Sequence, residues 1–194
     1  MTELHHELFI LRHGQTEWNA EGRMQGALDS PLTARGREQA ARQAEILAAA
    51  GVGAQSYEFW VSPQGRARQT ADIALAPFEA GLVIDSRLQE ISLGPYDGLT
   101  HAEIETRHPG AFAQSDPFLW YDTAPGGEGF AAFDARLRGV LADLSRPAVI
   151  VTHGMVSRFL RGAVLGLGLG EISALTGGQG VVYHLKNGVQ TRLV

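Results

Sequence analysis

Apolar residues along this chain come in short, dense runs separated by longer stretches of mixed polarity. Leu8-Phe9-Ile10-Leu11 and Val149-Ile150-Val151 are uninterrupted, so they read as strands buried on both faces, as in a parallel sheet. Tyr57 to Val61 reads as a second strand and Leu82-Val83-Ile84 as a short third, which makes Val149 to Thr152 the fourth. Between them the period lengthens. Thr33 caps a helix from Ala34, with Ala40, Ala41, Ala44, Ile46, Leu47 and Ala48 as its small and apolar members and Gly51 at its stop. Ser62-Pro63 has the pattern of a cap followed by proline at the first helical position, opening a helix to about Leu75. Thr100-His101-Ala102-Glu103 has capping-box spacing. Phe130, Phe133, Leu137, Val140, Leu141 and Leu144 recur on one helical face, and Met155 to about Leu165 gives another helix. Asn187-Gly188 between two strand-like runs predicts a hairpin. Gln15 to Pro31 reads as a polar loop.

This alternation predicts an α/β fold, a three-layer α/β/α sandwich around a mostly parallel sheet. With 194 residues, no internal repeat and no linker-like segment, the chain reads as a single domain over 1–194. Hydrophobic content of 44% and charged content of 19% are those of a soluble globular protein. The net charge of −5 argues against a nucleic-acid partner. The absence of cysteine removes disulfides, thiolate metal sites and a cysteine nucleophile. Neither a signal peptide nor a membrane-spanning run is apparent, so a cytoplasmic location is expected.

Two of the apolar runs end alike, in Arg12-His13-Gly14 and Thr152-His153-Gly154. Ligands of open α/β sheets bind outside the carboxyl ends of the strands, so parallel neighbours would bring His13 and His153 into one crevice. Arg12 adjoins His13, Arg66 lies in the first turn of the helix after the second strand, and Glu90 follows the third strand. Guanidinium forks and helix N-termini suit phosphate oxygens. Together these groups describe an anion site holding two imidazoles and one carboxylate. The chemistry that suits it is phosphoryl transfer, with one histidine as nucleophile and arginines plus a second, protonated histidine stabilising the equatorial oxygens. Glu90 would exchange a proton with the leaving group and then with water. Two histidines and a carboxylate are also a zinc ligand set, although adjacent arginines would repel the cation. A non-catalytic phospholigand-binding module is the third reading. Arg68, two residues from Arg66, points elsewhere on the helix, and His101, His108 and His184 read as surface or satisfied polar positions.

Leu11-Arg12-His13-Gly14-Gln15-Thr16-Glu17-Trp18-Asn19 closely resembles the signature of the histidine phosphatase superfamily, the phosphoglycerate-mutase-like proteins. The resemblance continues in order through Arg23-Met24-Gln25-Gly26, Asp29 to Thr33, Ser62 to Thr70, Leu88 to Ile91, and Val151 to Gly154. It implies that His13 becomes phosphohistidine and that Arg12, Arg66 and His153 bind the phosphoryl group. Asn19 and the backbone of Gly154 would assist, Glu90 would be the proton donor, and Thr16, Gln25 and Gly26 would be secondary contacts. It also implies a small phosphorylated substrate, no metal and no organic cofactor, and leaves room for a homodimer. Mutases of the family follow the acidic residue with arginine and tyrosine and carry a longer basic insertion. Here Glu90 is followed by Ile91-Ser92-Leu93-Gly94-Pro95, and the insertion at about 91–130 is short and acidic, with Arg107 and His108 as its candidate anion contacts. That resembles the phosphatase branch, which includes α-ribazole phosphatases and broad-specificity phosphomonoesterases. So does Pro125-Gly126-Gly127-Glu128, although Gly129 stands where serine is commoner. Trp18, Trp60 and Trp120 are expected to pack, with Trp120-Tyr121 in the insertion as a candidate wall of the substrate pocket. The expected activity is therefore phosphomonoester hydrolysis, with a cofactor-dependent phosphoglycerate mutase as the alternative.

Overall fold

The computed structural model describes residues 6–79, 81–113 and 118–194. Its strands are β1 (Leu8–Arg12), β2 (Glu58–Val61), β3 (Leu82–Ile84), β4 (Ala148–Thr152), β5 (Val182–Lys186) and β6 (Val189–Leu193), in one sheet of order β3-β2-β4-β1-β5-β6. The first four in that order run parallel, while β5 and β6 are antiparallel additions at one side. The helices are α1 (Glu17–Glu21), α2 (Ala34–Ala49), α3 (Gly65–Ala74), α4 (His101–Arg107), α5 (Phe130–Asp143), α6 (Gly154–Leu165) and α7 (Leu169–Ala174).

Alternation along the central strands divides the core in two. Phe9, Leu11, Val149 and Val151 face α2 and α3, meeting Leu47, Ala67 and Ala71. Leu8, Ile10, Ala148 and Ile150 face the other way, meeting Phe133, Leu137, Val156 and Leu160 of α5 and α6. Both central strands are covered on both faces, which is why their sequences are continuously apolar rather than alternating. This is the expected α/β sandwich, with its sheet mixed at one side.

Three local expectations change. The segment 15–31 is not all loop. Thr16 and Asn19 form a capping box that starts α1, and Gly22 ends it at φ 74°. The helix after β2 starts at Gly65 with Gln64 as its N-cap residue, so Ser62 does not cap it. In α2, Ala41 and Ala48 are exposed, and Gly36 and Gln43 belong to the buried face instead. Gln43 is tolerated there because its amide donates to the carbonyls of Arg12 (2.9 Å) and Val181 (3.2 Å). The hairpin forms as expected, with Asn187 at φ 52° and Gly188 at φ 73°, the pair of positive values that a tight β-turn of this kind requires.

Candidate active site

Register places the chemistry. β1 pairs with β4 so that Arg12 lies opposite Thr152, and the His13 N–H then donates to the Thr152 carbonyl (2.9 Å). On the other side of β4, the Ser62 N–H donates to the Val151 carbonyl (3.1 Å). Three adjacent strand ends therefore deliver Ser62, His153 and His13 side by side. The two imidazoles are buried, with ring centroids 5.3 Å apart.

His13 Nδ1 lies 2.8 Å from the Gly14 carbonyl. A carbonyl only accepts, so Nδ1 carries the proton and Nε2 keeps its lone pair. Burial, followed by the charges of Arg12 and Arg66, pushes the His13 pKa well below the ordinary histidine value. The ring is neutral as a result, which is the form a nucleophile needs. His153 is pushed well down too, by burial and then by Arg66, His13 and Arg12. This runs against the expectation of a protonated second histidine, because burial and its neighbours all disfavour the charged ring.

Arg66 is fully buried in the first turn of α3. It donates to the carbonyls of Leu28 (2.6 Å) and Gly26 (3.1 Å) and forms an ion pair with Asp29 at 3.1 Å. Arg12 makes no ion pair among the described residues, and the Nε atoms of Arg12 and Arg66 are both buried without a hydrogen-bond partner. Burial pulls both guanidinium groups below their ordinary pKa, opposed mainly by Glu90. Glu90 is held at the N-terminus of α6. Its Oε1 accepts from the N–H groups of Ile91 (3.1 Å) and Val156 (3.3 Å), while among the described residues Oε2 accepts only from Met155 N–H (3.1 Å). Oε2 is therefore the oxygen with capacity left for proton exchange. Gly154, the first residue of α6, lies against both groups: its Cα-side space is bordered by Arg12 Cζ and Glu90 Oε2, each at ordinary contact distance.

A pocket of about 190 Å³ collects Arg12, His13, Asn19, Gln25, Gly26, Arg66, Glu90 and Gly154. His153 and Thr16 are fully buried and are not among its lining residues, but the His153 ring adjoins that of His13 and Thr16 is hydrogen-bonded to Asn19. The Thr16 hydroxyl is used within the α1 cap, where Asn19 Oδ1 accepts from it (3.1 Å) and from the Thr16 N–H (3.2 Å). Gln25 Oε1 is buried without a partner. Arg107 and His108 do not line the pocket; His108 instead packs edge-on against Tyr96. The cations on the outer wall are Arg23 and Arg158, with Tyr121 beside them. Arg158 lies one helical turn after Gly154 on α6, a spacing that could have singled it out in the sequence. Sequence reading also missed Arg136, which forms an ion pair with Glu128, hydrogen-bonds the Arg87 carbonyl, and donates to the Gln89 carbonyl (2.8 Å) just before Glu90. Gly129 sits at φ 72°, and the capping role of a serine there passes to Asp122, whose carboxylate accepts from the Phe130 N–H (2.6 Å). Among the described residues, no group of three or more His, Asp or Glu side chains converges as a metal site.

Residues 8–190 match the model of the histidine phosphatase superfamily (branch 1). The chain belongs to that superfamily. It is 38% identical over 187 residues to a glucosyl-3-phosphoglycerate phosphatase of Mycobacterium tuberculosis, covering 88% of this chain and 80% of that one. It is also 34% identical over 172 residues to a probable phosphoglycerate mutase, GpmB, of an Enterobacter species, covering 83% and 75%. A solved mycobacterial glucosyl-3-phosphoglycerate phosphatase in complex with VO3 superposes with TM-score 0.81 at 35% identity, covering 93% and 92%. A putative α-ribazole-5′-phosphate phosphatase from Escherichia coli gives TM-score 0.81 at 26% identity, covering 97% and 95%. This superfamily member is a phosphatase of small phosphorylated metabolites, as its motifs implied. Among the described residues, no helix is long and apolar enough to cross a membrane.

Proposed function

We propose that the chain hydrolyses a phosphomonoester in two steps at His13. In the first, His13 Nε2 forms a bond to phosphorus as the ester P–O bond breaks, and Glu90 gives the leaving oxygen a proton. In the second, water attacks the phosphohistidine, returns a proton to Glu90 and releases inorganic phosphate. Arg12, Arg66 and His153 hold the equatorial oxygens, with help from Asn19, Gln25 and the backbone of Gly26 and Gly154. The observation that carries this reading is the Nδ1–Gly14 hydrogen bond, which leaves a bare Nε2 on a neutral ring between two arginines.

The leaving-group side is walled by Ile91, Leu93 and Tyr121 of the 91–130 insertion and by Arg158 of α6. Arg23 is committed to Glu21 (2.8 Å) and Glu103 (2.6 Å), whereas Arg158 has no ion pair among the described residues. An uncompensated guanidinium there favours a leaving group that is itself anionic. The preferred substrate is then a phosphorylated hydroxy acid, the class to which glucosyl-3-phosphoglycerate belongs.

The test is phosphate release from a panel of small phosphomonoesters by wild type and His13→Ala, with rapid acid-free quenching to trap labelled protein. Turnover with a base-stable, acid-labile phosphoprotein, both abolished in the variant, is expected. Turnover that survives in His13→Ala would remove the covalent step. Isomerisation of 3-phosphoglycerate, in the presence of bisphosphoglycerate, far faster than phosphate release would transfer the chain to the mutase branch.

A further inference from the structure

Ser62 directly follows β2 in a position that resembles a helix cap, yet its hydroxyl does not cap α3. It lies 2.7 Å from His153 Nε2, and both residues are fully buried. A hydroxyl has one proton to give. The Gln64 N–H donates to Ser62 Oγ (3.4 Å), and among the described residues the one acceptor the hydroxyl meets is His153 Nε2. If Nε2 were instead the protonated nitrogen, the hydroxyl proton would be stranded in the interior. His153 Nδ1 would then also present a lone pair, not a donor, beside the phosphoryl site. Nδ1 is the ring atom that is buried without a protein partner.

We infer that Ser62 is a positioning residue: it donates to His153 Nε2 and so holds His153 in the tautomer that carries its proton on Nδ1. His153 then serves the transferred phosphoryl group as a neutral hydrogen-bond donor, with its orientation set by a hydroxyl on the neighbouring strand. The donor comes from tautomer selection, so the site does not need a third cation packed against Arg12 and Arg66. The arrangement also links the two ends of the reaction. Gln64, two residues on, accepts from the Glu90 N–H (2.8 Å) and donates to the Gly26 carbonyl (2.9 Å). One short segment, 62–64, thereby sets His153, Glu90 and the wall that receives Arg66.

The tautomer is read directly by long-range proton–nitrogen correlation on protein labelled with ¹⁵N-histidine, with His153 assigned by its loss in His153→Asn. Wild type should show a protonated Nδ1 and a bare Nε2. Ser62→Ala should show a mixture of tautomers, with kcat for p-nitrophenyl phosphate lowered about tenfold, the worth of one buried hydrogen bond, and KM changed much less. Ser62→Thr, which keeps the hydroxyl, should restore both. A wild-type His153 protonated on Nε2 would overturn the inference, as would Ser62→Ala with unaltered tautomer and kcat. Should Ser62→Ala fail to fold, the wild-type tautomer alone decides. The functional consequence rests on the phosphatase reading, but the spectrum needs no substrate. Absence of turnover would count against that reading and leave the tautomer result standing.

Discussion

At the scale of single residues, the pocket contains arginines of the same chemistry in different states of commitment. Arg66 is tied to Asp29, and Arg23 to two glutamates, so their charges are largely neutralised by the fold. Arg158 is half-buried with no such partner among the described residues, and its charge is among the influences that pull Arg12 below its ordinary value. An unpaired guanidinium lining a pocket leaves its donors available to an anionic group of a ligand. Replacing it by methionine should therefore lower the preference for a carboxylate-bearing phosphoester over a neutral one of similar size. A charge-assisted hydrogen bond of about 1.5–3 kcal/mol corresponds to roughly a tenfold to hundredfold fall in the ratio of the two kcat/KM values. Arg158→Lys should retain part of the preference, since it keeps the charge but not the fork. Measuring both substrates in all three proteins checks this, and an unchanged ratio would show that Arg158 does not read the leaving group.

Among the elements, the decisive contact is between the end of β1 and the start of α2. A Cβ on Gly14 would lie 2.1 Å from the Gly36 carbonyl oxygen, and one on Gly36 would lie 2.0 Å from the Gln15 carbonyl oxygen. These are backbone atoms, so no side chain can swing aside to make room. The same turn is anchored from α3, where the Thr70 hydroxyl accepts from the Gly14 N–H (3.0 Å) and donates to the Arg66 carbonyl (2.8 Å). The glycine of the Arg-His-Gly motif is therefore a packing requirement on the element that carries the nucleophile. Gly14→Ala should lower stability by about 2–3 kcal/mol and also displace His13. The expected result is a lower urea midpoint at unchanged m-value, with loss of turnover. Gly53→Ala is the internal control, because nothing lies within 4 Å of its added Cβ; its midpoint should hardly move. Equal midpoints for the two variants would mean that the strand end yields without cost.

For the whole molecule, burying two histidines between arginines makes stability depend on pH in a window set by those histidines. In the unfolded chain they take up protons near pH 6.5, whereas in the fold both are held well below that value. As pH falls below about 6.5 the unfolded state binds more protons than the native state, so stability falls, by up to about 1.4 kcal/mol per pH unit for each histidine. Carboxylates held low in the fold, such as Glu58 and Asp85, add their loss only at lower pH, in the carboxylate range. Urea titrations at pH 7.5 and 5.5 should give the lower midpoint at 5.5. A flat response would mean that His13 and His153 are not held neutral by the fold.

The amino-acid sequence by itself determined what depends on near neighbours along the chain. Continuous apolar runs must be covered on both faces, helical periods must bury one face, and Asn187-Gly188 must turn. Hence the α/β class, the central strands and the two His-Gly strand ends were legible, and the motifs spaced along the chain carried the superfamily and its chemistry. What the sequence left open depends on burial and on contacts between distant segments. Only the sheet order brings Arg12 opposite Thr152, 140 positions later, and puts Ser62 on the far side of His153. Only packing makes Ser62 a histidine partner instead of a cap, separates Arg158 from its paired counterparts, and holds Glu90 on the first N–H groups of α6. Protonation followed the same division. An imidazole's charge is set by the summed desolvation and field of everything packed around it, which no local stretch of sequence contains.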